Sequence, residues 1–85
     1  MENKIKELFA AILKMNAEAI SDSATPRNIS GWDSLQHMFL VSGFEEEFGI
    51  EIEPEEAVEM YRDYSAFKSV VAKKLGQALW PAGKR

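Results

Sequence analysis

Apolar residues Ile5, Leu8, Phe9, Ile12 and Leu13 fall at i, i+3, i+4, i+7 and i+8. That spacing lines one face of an α-helix and predicts a first helix from Lys4 to Met15. From Asn16 to Trp32 the pattern dissolves into turn formers: Ser21, Asp22, Ser23, Thr25, Pro26, Asn28, Ser30 and Gly31. Their side-chain hydrogen bonds and special φ preferences compete with regular structure, so a long loop is expected. A loop of this length needs a residue to hold it down, and Ile29 is the expected pin.

Asp33-Ser34-Leu35-Gln36 has the form of a capping box, with Asp33 accepting the Gln36 N–H while the Gln36 side chain reaches back. A second helix therefore starts at this point. At 100° per residue, His37, Leu40, Val41, Phe44 and Phe48 share a core-facing arc, and Gln36, Phe39, Ser42, Gly43 and Glu46 share an outer one. Gly49 ends the helix as the glycine just past its last turn. Pro54 suits a first turn and, with Glu55 and Glu56 behind it, predicts a short third helix to about Met60. Tyr61 to Tyr64 reads as a link. Ser65 is the expected cap of a final helix in which Phe67, Val70, Val71, Leu75 and Leu79 repeat, with Lys73 and Lys74 placed late enough to oppose its dipole. Ile50-Glu51-Ile52 alternates like a strand but has no second strand to pair with. The expected fold is all-α: four helices, a long loop between helices 1 and 2, and a short helix 3. Residues 1–80 form one domain and residues 81–85 a flexible tail.

Composition narrows the function. An 85-residue chain with 46% apolar residues supports one core, which argues against an enzyme with a substrate cleft of its own. Ten Lys and Arg against fourteen Asp and Glu give a net charge of −4, the wrong sign for a nucleic-acid binder. The absence of cysteine removes disulfides, thiolate nucleophiles and Cys-type zinc sites. No signal-peptide h-region opens the chain and no stretch approaches the length of a membrane span, so the expected location is cytoplasmic with no membrane partner. The charge is also unevenly placed. Asp33, Glu45, Glu46, Glu47, Glu51, Glu53, Glu55, Glu56 and Glu59 lie in a segment without Lys or Arg, which carries −9, while the flanks carry +5. Such a segment is either a solvated acidic face or a docking surface for basic partners.

The candidate chemistry sits at Gly31-Trp32-Asp33-Ser34-Leu35. With Asp33 as N-cap, Ser34 occupies the first helical position, its hydroxyl beside unpaired N–H groups and the positive end of the helix dipole. A phosphate is favoured at such a place. Ser34 does not read as a nucleophile, because hydrolysis needs a positioned base and an oxyanion hole, and the single histidine, His37, faces another way. His37 reads as a packed, hydrogen-bonded core residue. Trp32 reads as a loop anchor against helix 3, and Phe44, Phe48 and Phe67 as core. The glutamates between 51 and 56 lack the alternating ligands and central glycine of a calcium loop, and no metal site or catalytic residue is assigned.

Gly31-Trp32-Asp33-Ser34-Leu35-Gln36-His37, followed by Leu40-Val41, Phe44-Glu45-Glu46-Glu47-Phe48 and Ile50-Glu51-Ile52, resembles the acyl carrier proteins over nearly the whole chain. The resemblance implies an acyl-carrier-like bundle that is not an enzyme. It implies that Ser34 is the attachment point of 4′-phosphopantetheine, transferred from coenzyme A by a phosphopantetheinyl transferase, with Asp33 and Leu35 as the flanking motif residues. The arm's thiol would carry acyl groups as thioesters between a loading ligase or acyltransferase and downstream synthases, in fatty-acid, polyketide or other specialised biosynthesis. It also turns the acidic segment into a docking face, with Gln36, Phe39, Glu45 and Glu46 as partner-binding residues of a monomer. Gln36 and Phe39 stand where fatty-acid-synthesis carriers commonly have acids, and Trp-Asp-Ser-Leu-x-His looks more like free-standing carriers of specialised pathways. A peptidyl or aminoacyl carrier, and an unmodified helical interaction module, are the alternative readings.

Overall fold

The first helix forms along its apolar stripe and stops two residues short of Met15, for a backbone reason. In the computed structural model, which describes residues 2–78, α1 spans Glu2–Leu13. Lys14 then takes a φ of 58°. Its N–H reaches the Ala11 carbonyl at 3.3 Å, and the Met15 N–H reaches that of Ala10 at 2.9 Å. These are the paired bonds of a Schellman terminus, here with lysine in the left-handed position that glycine usually fills. Met15 still packs against the core, so its periodicity reports contact rather than helix.

The following segment is the expected loop, broken by one short 3-10 turn at Ala17–Ala19 that the Asn16 side chain caps. Its polar residues satisfy its own backbone: Asn28 Oδ1 accepts the Thr25 N–H at 2.8 Å, and Thr25 Oγ1 accepts that of Arg27 at 3.2 Å. Ile29 is buried as expected, but it shares the work with Ile20, Ala24 and Trp32. The loop also docks on the last helix, where the Tyr64 N–H donates to the Ala24 carbonyl at 2.8 Å and Lys68 pairs with Asp22 at 3.0 Å.

Helix α2 runs Ser34–Phe48 and ends at Gly49, whose φ of 64° and ψ of 38° are left-handed. His37, Leu40 and Phe44 are buried on its inner face. Gly43 is a correction to the predicted arcs. A Cβ built there would lie 2.8 Å from Ile12 Cδ1, so Gly43 faces α1 instead of solvent, against the tip of the Ile12 side chain. After Gly49 the chain runs extended with Ile50 and Ile52 buried and Glu51 exposed. Among the described residues it pairs with no strand; the Ile52 N–H donates instead to Glu45 Oε2 at 2.8 Å.

Helix α3, Pro54–Met60, has proline in its first turn, and the Glu56 carboxylate accepts the Glu53 N–H at 2.9 Å. Helix α4, Tyr64–Ala78, is capped by Asp63, whose Oδ1 accepts the Ala66 N–H at 2.7 Å. The cap is therefore two residues before Ser65, and Tyr64, expected in the link, is a buried helical residue. Lys73 and Lys74 do not sit in the last turn of α4. They hold α3, with Nζ atoms 3.4 and 2.8 Å from the Glu56 carboxylate. The Lys74 ammonium, then the Glu53 N–H, lower the Glu56 pKa to about 2. Leu79 and the tail at 81–85 lie outside the described residues.

The core is aromatic at its centre. The Phe9 ring meets Trp32, Tyr64 and Phe67 edge to face, each at 5.0 Å between centroids, and Phe67 meets Phe44 at 4.9 Å. Such edge contacts add specific geometry to the area they bury. They bind α1, the loop, α2 and α4 around the inner side of the α2 N-terminus.

Candidate functional site

Asp33 builds the site. Its extended backbone, φ −109° and ψ −178°, turns the chain into α2. Its Oδ1 accepts the Gln36 N–H at 2.8 Å and its carbonyl accepts that of His37, also at 2.8 Å. Among the described residues the return bond from the Gln36 side chain is not made, so the cap is single and not a box. The N–H groups of Ser34 and Leu35 precede the first intrahelical bond and have no acceptor within the helix. Ser34 itself is exposed. A hydroxyl at the first helical position, in solvent and beside two open N–H donors at the positive end of a fifteen-residue helix, is suited to bearing a phosphodiester.

His37 cannot serve Ser34 as a base, because both its ring nitrogens are engaged elsewhere. The Trp32 indole N–H donates to Nδ1 at 3.0 Å. An indole only donates, so Nδ1 is unprotonated, and Nε2 carries the hydrogen that reaches the Ala57 carbonyl at 2.7 Å. The imidazole is therefore neutral. Burial lowers its pKa below the ordinary 6.5, against the smaller opposing effect of the Ala57 carbonyl. Trp32 anchors the loop as the sequence predicts, but more widely: besides Tyr61 at 6.0 Å it touches Phe9 of α1 and Phe67 of α4.

The outer face beside Ser34 is apolar. Leu35, Met38 and Phe39 are 58%, 66% and 55% exposed, and Val58 on α3 is 75% exposed. Gln36 is half-buried. Glu46 is exposed on the same side of α2, whereas Glu45 is half-buried and committed to the Ile52 N–H, so the two neighbouring glutamates have different surroundings. Asp33 and Glu56 are likewise engaged within the fold, while Glu46, Glu51, Glu55 and Glu59 face solvent. Sequence reasoning passed over Met38 and Val58. Met38 was findable, one turn beyond Leu35 on the arc that also holds Ser42. Val58 lies on a helix too short to display a periodic face.

Residues 3–77 match a family model described as a phosphopantetheine attachment site. The fold is similar to the solution NMR structure of holo acyl carrier protein from Geobacter metallireducens, with a TM-score of 0.80 and 22% identity over 92% of this chain and 88% of that one.

Proposed function

From the premise that this chain belongs to the acyl carrier protein family, we propose that it shuttles acyl groups between enzymes of a fatty-acid, polyketide or other specialised biosynthesis, with Ser34 as the residue that bears the arm. The protein is a carrier and not an enzyme, and its cofactor is covalent 4′-phosphopantetheine. When bound, that group supplies the thiol that holds cargo as a thioester, a group that this cysteine-free chain lacks. The observation that carries the reading is the exposed Ser34 hydroxyl beside the open Ser34 and Leu35 N–H groups. Asp33 fixes the turn that presents them, and Leu35 flanks the phosphodiester and the partner.

Partners would be the phosphopantetheinyl transferase, a loading ligase or acyltransferase, and downstream synthases. Their contact surface would be Leu35, Gln36, Met38, Phe39 and Val58, with Glu46 meeting a basic rim and Glu45 shaping the segment behind it. Apolar area near Ser34 would supply affinity, while the acidic flank would supply orientation and encounter rate. The cytoplasm is the proposed place of work; among the described residues no helix is long and apolar enough to cross a membrane.

The test is intact mass before and after incubation with coenzyme A, Mg²⁺ and a broad-specificity phosphopantetheinyl transferase. Wild type should gain one phosphopantetheine, and Ser34→Ala, with unchanged helical circular dichroism, should gain none. An arm on the alanine variant would remove Ser34 from the role. No gain on wild type, with an active enzyme, would favour an unmodified interaction module.

A further inference from the structure

Beside the acidic segment lies a groove of the opposite sign. Thr25, Pro26 and Arg27 of the loop and Tyr61 and Arg62 just after α3 line an open cavity of about 440 Å³. The loop wall is fixed by its own backbone: Asn28 Oδ1 accepts the Thr25 N–H at 2.8 Å, Thr25 Oγ1 accepts that of Arg27 at 3.2 Å, and the Asn28 and Ile29 N–H groups donate to the Thr25 carbonyl at 3.1 and 3.0 Å. On the other wall the Tyr61 ring is half-buried and rests against Trp32 and His37, at 6.0 and 4.8 Å between centroids. Those two residues stand on either side of Ser34 in the chain, so the Tyr61 wall packs behind the turn that presents the serine.

Two cations stand at this groove, and neither charge is used up by the fold. Arg27 is exposed, and among the described residues its guanidinium has no hydrogen-bond or ion-pair partner. Arg62 is steered by its neighbour: its Nε donates to Asp63 Oδ2 at 3.3 Å, while among the described residues its two terminal nitrogens stay open. The other Asp63 oxygen is committed to the Ala66 N–H at 2.7 Å. Two guanidiniums against one carboxylate leave the groove net positive. The planar fork of a guanidinium matches a carboxylate, and a fork already held in place loses less freedom on binding one. Elsewhere around Ser34 the field is reversed, since the segment from Asp33 to Glu59 carries −9, so an anionic group tethered at the serine is repelled from α2 and α3 and drawn to this side. Exposed arginines hold a free anion weakly. Tethering changes that, because a flexible arm keeps its end at an effective concentration of about millimolar. We propose that Arg27 and Arg62 form a binding site for the free carboxylate of a dicarboxylic acyl group carried on the Ser34 arm, with Pro26 and the Tyr61 ring against its methylenes. The inference rests on the reading of Ser34 as the attachment residue.

The experiment loads wild type, Arg27→Gln, Arg62→Gln and the double variant with glutaryl- or monomethyl-glutaryl-phosphopantetheine, transferred from the matching coenzyme A thioesters, and confirms each by intact mass. The two cargoes share one carbon chain and differ in the charge at its end. NMR then follows the amides of Arg27, Tyr61 and Arg62, the Nε–H signals of both arginines, and the titration of an isotope-labelled glutaryl carboxylate. In wild type the glutaryl cargo should move these signals and its methyl ester should not. The carboxylate should titrate a few tenths of a pH unit lower on wild type than on the double variant, and both effects should shrink as salt is raised. Arg27→Gln, which breaks no ion pair, should diminish the glutaryl-dependent shifts, and the double variant should abolish them. Equal shifts from the two cargoes in wild type would overturn the proposal and leave the two arginines to the surfaces of partner enzymes. So would an undiminished glutaryl response in Arg27→Gln, even if Arg62→Gln disturbs the cap of α4. A wild type that takes no arm from either thioester would overturn the Ser34 reading and this one with it, and intact mass distinguishes that failure from the others.

Discussion

His37 shows how much a single side chain can carry in a core this small. Truncation to alanine leaves the Trp32 indole N–H and the Ala57 carbonyl buried without partners, and should cost about 2–4 kcal/mol in urea denaturation. Its protonation acts in the same direction. Because burial lowers the folded-state pKa below 6.5, the neutral form favours the fold. The stabilisation is complete above about 6.5 and is lost as pH falls from there toward the folded-state value. A urea midpoint measured against pH should decline through that window in wild type and lack that decline in His37→Gln. Glu56 titrates lower. With its pKa held at about 2 by Lys74, the Glu53 N–H and Lys73, its stabilisation is present above 4.5 and fades as pH falls from there toward 2, so Glu56→Gln should flatten the acid limb without altering the histidine window. Of these roles, that of Asp33 was legible in the sequence, because a cap acts on its own next turn. The partners of His37 and Glu56 were not, since Ala57 and Lys74 lie about twenty residues away and a pattern of apolar positions says nothing about which carbonyl or cation a polar group will meet.

At the scale of the helices, sequence reading succeeded where a residue type has one conformational use and failed where tertiary packing chose. Gly49 announced the end of α2 because its left-handed φ is easy for glycine. Lys14 adopts nearly the same φ without any such announcement. Lys14→Gly should therefore stabilise the fold by about 1 kcal/mol, read as a higher melting temperature. Gly43 was placed on the outer arc because glycine has no hydrophobicity to declare, whereas in the fold its absent side chain admits Ile12. Gly43→Val should displace the Ile12 side chain and cost about 1 kcal/mol in the same assay. Asp63 and Ser65 are both good caps by type, and the choice between them followed the burial of Tyr64, a long-range matter.

Across the whole molecule, the −9 segment divides into acids that hold the fold and acids that face outward. Charge reversal at Glu46 should slow arm transfer at low salt and lose that effect as salt screens the encounter, with the melting temperature unchanged. Glu45→Gln should instead lower the melting temperature, because it weakens the carboxylate's grip on the Ile52 N–H. A rate at Glu46→Lys equal to wild type in dilute buffer would place recognition on the apolar face alone. The sequence displayed the asymmetry of charge but not this division, which depends on where the extended link after Gly49 crosses α2. The packing of Trp32 also has an optical consequence. An indole sealed from water and touching an imidazole emits at shorter wavelength than a solvated one, and its brightness responds to the protonation of that neighbour. With Trp80 replaced by phenylalanine, Trp32 becomes the sole tryptophan in the chain, and the protein then holds its own fluorophore two residues before Ser34, the proposed attachment residue.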